Sequence, residues 1–366
     1  MTLDVRLQQA GPIALDVELR CAPGELLALI GPSGSGKTSV LRAIAGLLQP
    51  ARGRVVCNGA LWFDGQSGLV LPPQARRVGF VFQDYALMPH LTALENVALP
   101  LGALDRAAAH ARAAELLALV NLEGLEARHP TALSGGQRQR VAIARALARE
   151  PDVLLLDEPF SAVDQMTRER LKRELVALRG RVRIPIVLVT HDLDEALALA
   201  DRIAVMHRGR TLQTGAPEDV RLRPASPTIA RLMGETNVFK GRLEKPAYAG
   251  QPGRLRFDQH VLEVAHSATF QAGEDIAWLI PSEFIVLHRR GRPSQGDREN
   301  PVPGRIATLT TLGEQTAVSL RLDGAGGHIL NFRLATHSAR RNELAAGAAV
   351  SVSLLAGGLH LMRRDQ

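Results

Sequence analysis

The stretch Gly31-Pro32-Ser33-Gly34-Ser35-Gly36-Lys37-Thr38 decides how this chain is read. It fits G-x-x-x-x-G-K-[ST], a loop whose residue types each have a mechanical reason. Glycines let the backbone curl so that successive N–H groups point at one centre, a nest for an anion. Lys37 can set a point charge against β- and γ-phosphates, and the Thr38 hydroxyl can ligate Mg²⁺. Leu26-Leu27-Ala28-Leu29-Ile30 on one side reads as a buried strand, and residues 39–46 on the other as a helix. Strand, glycine loop and helix together aim a helix N-terminus at a phosphate.

Working outward, residues 3–8 and 13–20 alternate apolar and polar positions, as two hairpin strands ahead of the buried one. Residues 54–59 and 77–83 are strand-like, with glycine and proline loops between them. Residues 91–150 form a helical insertion, with an amphipathic Ala/Leu-rich helix over 103–122 and another after Ser134-Gly135-Gly136. Strands at 153–156, 186–190 and 202–207 then alternate with helices at 166–178 and 193–199, which predicts a parallel sheet covered on both faces. After about residue 235 the pattern changes to short alternating segments at 254–257, 276–280, 284–287, 304–310, 316–322, 328–334 and 349–354, with a loop over 290–303. The expected organisation is an α/β domain over 1–235 and an all-β domain over 236–366.

Four further sites point at the same chemistry. Leu133-Ser134-Gly135-Gly136-Gln137 opens a helix and offers a hydroxyl and glycine N–H groups to an anion. Leu154-Leu155-Leu156-Asp157-Glu158 is a buried strand delivering two carboxylates at its C-terminal edge, where open α/β sheets bind ligands. There Asp157 suits a Mg²⁺ shell and Glu158 suits the polarising of an attacking water. His191 and Gln83 each end a strand and reach the same rim.

These motifs carry a resemblance. Residues 1–234 resemble the nucleotide-binding subunit of ATP-binding cassette (ABC) transporters, a P-loop NTPase fold with an N-terminal antiparallel β part and a helical subdomain. Residues 31–38 match its Walker A loop, Gln83 its Q-loop, and residues 133–137 its signature. Residues 154–158 match Walker B, Ser161-Ala162-Val163-Asp164 the D-loop (with Val163 where leucine is usual), and His191 the switch histidine. The resemblance implies a head-to-tail homodimer with ATP between one subunit's Walker loop and the other's Ser134, Gly135, Gly136 and Gln137. A two-fold axis lets both halves of the chain meet a nucleotide at once. One departure stands out: the loop Gln8-Gln9-Ala10-Gly11-Pro12, where relatives stack adenine on an aromatic residue, has none.

The tail resembles the oligobinding TOBE or Mop domains of importer ATPases, best over 302–362. The stretch after Gln83 matches the groove that receives a permease helix, which makes Tyr85, Leu87 and Met88 the expected apolar anchors. Loop lengths near the N-terminus and over 58–83 look most like molybdate-importer ATPases. Sulfate, iron, polyamine and sugar importers are the alternatives, and a soluble cassette ATPase acting on nucleic acid is the competing class. The resemblance further implies a separate substrate-binding protein and a regulatory oxyanion on the tail.

Bulk properties bound these readings. The 366 residues exceed what one small domain needs for a core. A net charge of +7 allows an anionic partner, while the 4% aromatic content leaves few stacking surfaces for nucleic acid, so none is expected. Cys21 and Cys57 show neither metal spacing nor a disulfide framework, which fits a reducing compartment. No signal peptide and no run of about 18 apolar residues is seen, so a peripheral place on the cytoplasmic face of the inner membrane is expected.

Overall fold

Five consecutive apolar residues have no polar face to offer water, and the strand Leu26–Ile30 is buried along its whole length. Val153–Asp157 and Ile186–Val189 are equally buried. The computed structural model describes residues 2–365 apart from 12, 162, 249–250, 268, 289–298 and 325. In it these strands pair in parallel, in the order Arg202–His207, Leu26–Ile30, Ile186–Val189, Val153–Asp157 and Val78–Val81. The C-terminal ends of four of them therefore carry the glycine loop, His191, the Asp157–Glu158 pair and Gln83 to one edge of the sheet.

The sheet continues beyond Arg202–His207 through Arg210–Gly215, Leu15–Cys21, Leu3–Gln9, Arg52–Cys57, Ala60–Asp64 and Leu69–Val70, which makes eleven strands among the described residues. Along Leu15–Cys21 every second residue is buried, the period expected of a half-buried strand. One face of the sheet packs on the helix Lys37–Ala45. The other packs on the helical insertion, whose helices are Ala93–Ala98, Arg106–Leu119 and Gly135–Leu147. The amphipathic helix starts at Arg106 instead of 103 because the Asp105 carboxylate accepts the Ala108 N–H and caps it there.

Two buried features of this unit escape a motif search. Arg76 donates to the carbonyls of Leu71 (2.8 Å), Ala43 (2.9 Å), Ile44 (2.7 Å) and Trp62 (3.2 Å), so a guanidinium satisfies the last carbonyls of the loop helix. Cys21 and Cys57 are free and buried, and burial pushes both thiols up to about 12.

Internal contacts divide the chain into Met1–Pro217 and Glu218–Gln366. The division falls earlier than the 235/236 boundary read from the sequence. The reason is that the short helix Pro227–Leu232 packs on the strands Val238–Lys245 and Asp275–Leu279 of the second unit. Among its described residues that unit holds two five-stranded sheets: His260–Val264, Gly253–Phe257, Val238–Lys245, Asp275–Leu279 and His360–Met362; then Ile285–Leu287, Ala349–Leu355, Glu299–Leu312, Gln315–Leu322 and Ile329–Ala335. Both sheets feed one core, with Phe239, Phe257 and Trp278 in mutual ring contact.

The expected loop over 290–303 is corrected in part. Residues 290–298 lie outside the described residues, and 299–303 belong to the strand Glu299–Leu312. Pro301 and Pro303 suggested a loop, yet they occupy exposed alternate positions while Asn300, Val302, Gly304 and Ile306 turn inward.

Candidate functional site

The glycine loop takes the backbone that its composition allows. Gly31 has φ 151°, and a Cβ there would stand 2.1 Å from the Met206 carbonyl oxygen, so no larger residue fits. Gly36, at φ 95°, precedes the first turn of the helix Lys37–Ala45 in the left-handed region. Lys37 is buried, and its ammonium donates to the carbonyls of Gly31 (2.7 Å) and Pro32 (3.0 Å). Burial lowers the Lys37 pKa from its ordinary value, opposed by Glu158 and Asp157. Ser35 Oγ is buried with no hydrogen-bond partner among the described residues, an orphaned donor inside an anion nest.

Thr38 Oγ1 donates to Asp157 Oδ1 at 2.9 Å, which joins the loop to the end of the neighbouring buried strand. Burial raises the Asp157 pKa; the Thr38 hydroxyl opposes that, and the Glu158 charge adds to it. A carboxylate so placed gains from a cation. The local donors are one hydroxyl and one carboxylate, and among the described residues no group of three or more His, Cys, Asp or Glu gathers into a protein cage. That set fits Mg²⁺, which keeps waters and takes phosphate oxygens as its remaining ligands.

Glu158 sits at φ 46°, a left-handed conformation that turns the chain sharply after the strand. Its N–H still bonds to the Val189 carbonyl, and its own carbonyl accepts from Ser161 Oγ. Gln83 Nε2 donates to Glu158 Oε2 at 3.3 Å, and His191 Nδ1 lies 3.2 Å from the same oxygen. Thr38 with Asp157, and Gln83 with Glu158 and His191, thus form two polar clusters on consecutive residues at one strand end.

The signature residues form a separate local motif. Ser134 Oγ accepts the Gln137 N–H, and the Gln137 side chain accepts the Ser134 N–H, a reciprocal capping box. Gly136 has a packing reason: a Cβ there would meet Thr167 Cγ2 at 2.6 Å. Asp164 caps the helix Gln165–Val182 by accepting the Thr167 N–H, a bond that holds its carboxyl below the usual carboxylate range. Ala162 of the D-loop and Pro12 of the short N-terminal loop lie outside the described residues.

The anchor expectation needs one correction. Tyr85 is only 3% exposed and belongs to the core; its hydroxyl donates to the Pro159 carbonyl at 3.3 Å, so it is not available as a surface anchor. Leu87 packs partly against the same core, and Met88 is 39% exposed. Sequence reasoning also missed Arg145, whose guanidinium donates at 2.7 Å to each of the Tyr85 and Ala86 carbonyls. It missed Arg168, which donates to Val163 O and lies 3.6 Å from Asp192. A lone arginine inside a helix carries no motif, so only the charge in an otherwise inward position hinted at either.

Comparison with known proteins shows the family. Residues 14–161 match the family model of the ABC transporter, and residues 280–362 that of the TOBE domain. A sulfate/thiosulfate import ATP-binding protein CysA of Bacillus cereus is 40% identical over 320 residues, which are 86% of this chain and 84% of that one. The chain belongs to the import ATP-binding proteins of ABC transporters. The CysA of Caulobacter vibrioides is 45% identical over 307 residues, 82% of this chain and 85% of that protein. Among solved structures, a dimeric post-hydrolysis state of the ATP-binding cassette MJ0796 bound to ADP and Pi aligns with TM-score 0.50 and 34% identity. It covers 59% of this chain and 99% of that one. The chain is therefore an ABC ATPase with a C-terminal TOBE domain, and its nucleotide is ATP. Among the described residues no helix is long and apolar enough to cross a membrane.

Proposed function

We propose that this ATPase drives import of sulfate or thiosulfate from the cytoplasmic face of the membrane, as a homodimer docked on permease subunits and supplied by a separate binding protein. By resemblance alone the sequence points first to molybdate, with sulfate among the alternatives. The sulfate/thiosulfate names of the relatives described above support the alternative. The TOBE match is compatible with a regulatory oxyanion on the tail and does not specify one.

The observation that carries the chemistry is a single carboxylate oxygen, Glu158 Oε2, within 3.3 Å of Gln83 and 3.2 Å of His191, one residue beyond the Thr38–Asp157 pair. In this reading Glu158 accepts a proton from the water that attacks the γ-phosphate, so that ADP and phosphate leave. Lys37 turns from its loop carbonyls to the β- and γ-phosphates, and Ser35 finds a phosphate oxygen as its acceptor. His191 orients the Glu158 carboxylate and the terminal phosphate. Thr38 and Asp157, with Gln83 at the rim, would hold Mg²⁺, which neutralises phosphate charge when bound. Ser134, Gly135, Gly136 and Gln137 close over the partner's nucleotide, their capping box opening to present N–H groups to the γ-phosphate.

Ser134→Arg blocks that closure by bulk while leaving each protomer able to bind ATP. ATP-dependent dimerisation, followed by light scattering in a hydrolysis-slowed background, is expected to disappear; dimerisation at parental strength rejects the head-to-tail sandwich. The solute is tested by reconstituting the complete transporter and screening sulfate, thiosulfate, molybdate and a sugar. Stimulation of ATPase by sulfate or thiosulfate supports the reading, and stimulation by molybdate alone overturns it.

A further inference from the structure

The segment after Gln83 adopts a backbone that non-glycine residues avoid: Tyr85 has φ 65° and Ala86 φ 44°. Two consecutive left-handed residues persist only where their surroundings hold them. Here the holding group is the Arg145 guanidinium, which donates to both of their carbonyls at 2.7 Å from the last turn of the helix Gly135–Leu147. The same segment is tied to the catalytic turn at two points. Gln83 Nε2 donates to the Glu158 carboxylate, and the Tyr85 hydroxyl donates to the carbonyl of Pro159, the next residue. Glu158 is itself left-handed, so its direction depends on what fixes its neighbours.

We infer that Arg145 is a positioning residue for ATP hydrolysis: by clamping Tyr85 and Ala86 it fixes the Glu158 turn relative to the helix that begins at Ser134. That helix is 13 residues long, a stiff rod of about 20 Å at 1.5 Å per residue. Ser134 caps one end and Arg145 grips the Gln83 segment near the other, so engagement of the signature is felt at Glu158 through one rigid element. Tyr85 thereby has a role inside the protein, as the link from the clamped segment to Pro159. The inference rests on Glu158 being the base, and its test separates the two claims.

The planar fork of arginine can reach two carbonyls at once, whereas lysine brings a single point charge. The test is steady-state ATPase of the full chain carrying Arg145→Lys, the pair Gln83→Ala with Tyr85→Phe, all three together, Tyr85→Phe alone, and Glu158→Gln. Arg145→Lys is expected to lower kcat about tenfold, the effect of losing one charge-assisted hydrogen bond, with KM for ATP changed by less than about twofold. In the background that lacks both links, Gln83→Ala with Tyr85→Phe, the same substitution is expected to cost less than about twofold, because the clamped segment then has nothing left to act through. A mere loss of folded molecules would instead multiply with the effect of that background. An unchanged kcat in Arg145→Lys, a rise in KM that accounts for the loss, or multiplicative effects overturns the inference. Should Arg145→Lys fail to fold, Tyr85→Phe decides: a lower kcat at constant KM supports the clamped segment as what fixes the Glu158 turn, and parental kinetics reject it. Glu158→Gln reports separately on the base. Its collapse alongside normal Arg145→Lys kinetics rejects the clamp alone, whereas its survival at the parental rate rejects the base.

Discussion

Glu158→Gln is expected to lower ATP turnover by about 10²–10⁴-fold, the range for removing a positioned general base, while ATP remains bound. The substitution keeps the shape of the side chain and one acceptor oxygen, so Gln83 and His191 retain a partner on the amide. What disappears is a group able to take the proton of the attacking water. The phosphate contacts proposed above lie elsewhere, at Lys37, Ser35 and the loop N–H groups, and are expected to survive. A closed dimer loaded with ATP should therefore accumulate. Single-turnover hydrolysis and equilibrium nucleotide binding on one preparation check both halves, and turnover at the parental rate removes Glu158 from the mechanism.

Lys37→Ala acts at the opposite step. Removing the ammonium deletes charge-assisted contacts to the phosphates, each worth about 1.5–3 kcal/mol, so ATP affinity should fall about 10–100-fold or more. It also strips the Gly31 and Pro32 carbonyls of their donor, which loosens the loop before any nucleotide arrives. Titration calorimetry with ATP measures the loss, and retained affinity contradicts the phosphate role. A pH consequence follows in the parent protein. Because burial lowers the Lys37 pKa, free protein loses the charged form at a lower pH than an exposed lysine would, and ATP binding should weaken as pH rises through that value.

What the sequence disclosed has a physical pattern. Gly31, Asp157, Glu158, Gln83 and His191 were legible because each stands at or just past the end of a short apolar strand, and Lys37 and Thr38 because they open the helix after the glycine loop; parallel strands deliver their C-terminal ends to one edge. The helical insertion was legible as a region, whereas its first helix, Ala93–Ala98, is set by the capping box of Thr92 and Glu95 over too short a span to show a period. Tyr85 was misread because an aromatic residue in a loop-like stretch looks like a surface anchor. Its burial depends on Pro159, 74 residues away. Arg145 pairs with backbone 59 and 60 residues distant, and carbonyls have no sequence signature at all. In the second unit, Pro301 and Pro303 hid a long strand because proline identity outweighed the period of two around it.

The two thiols give the molecule a native reporter. Cys21 and Cys57 are its full complement of cysteine, and both lie in the unit Met1–Pro217. With their acidity suppressed by burial, neither offers a nucleophilic sulfur at neutral pH while the sheet is intact. Reaction with a disulfide reagent in denaturant thus times the opening of the nucleotide-binding half alone, blind to melting of the β-rich tail, without any engineered label.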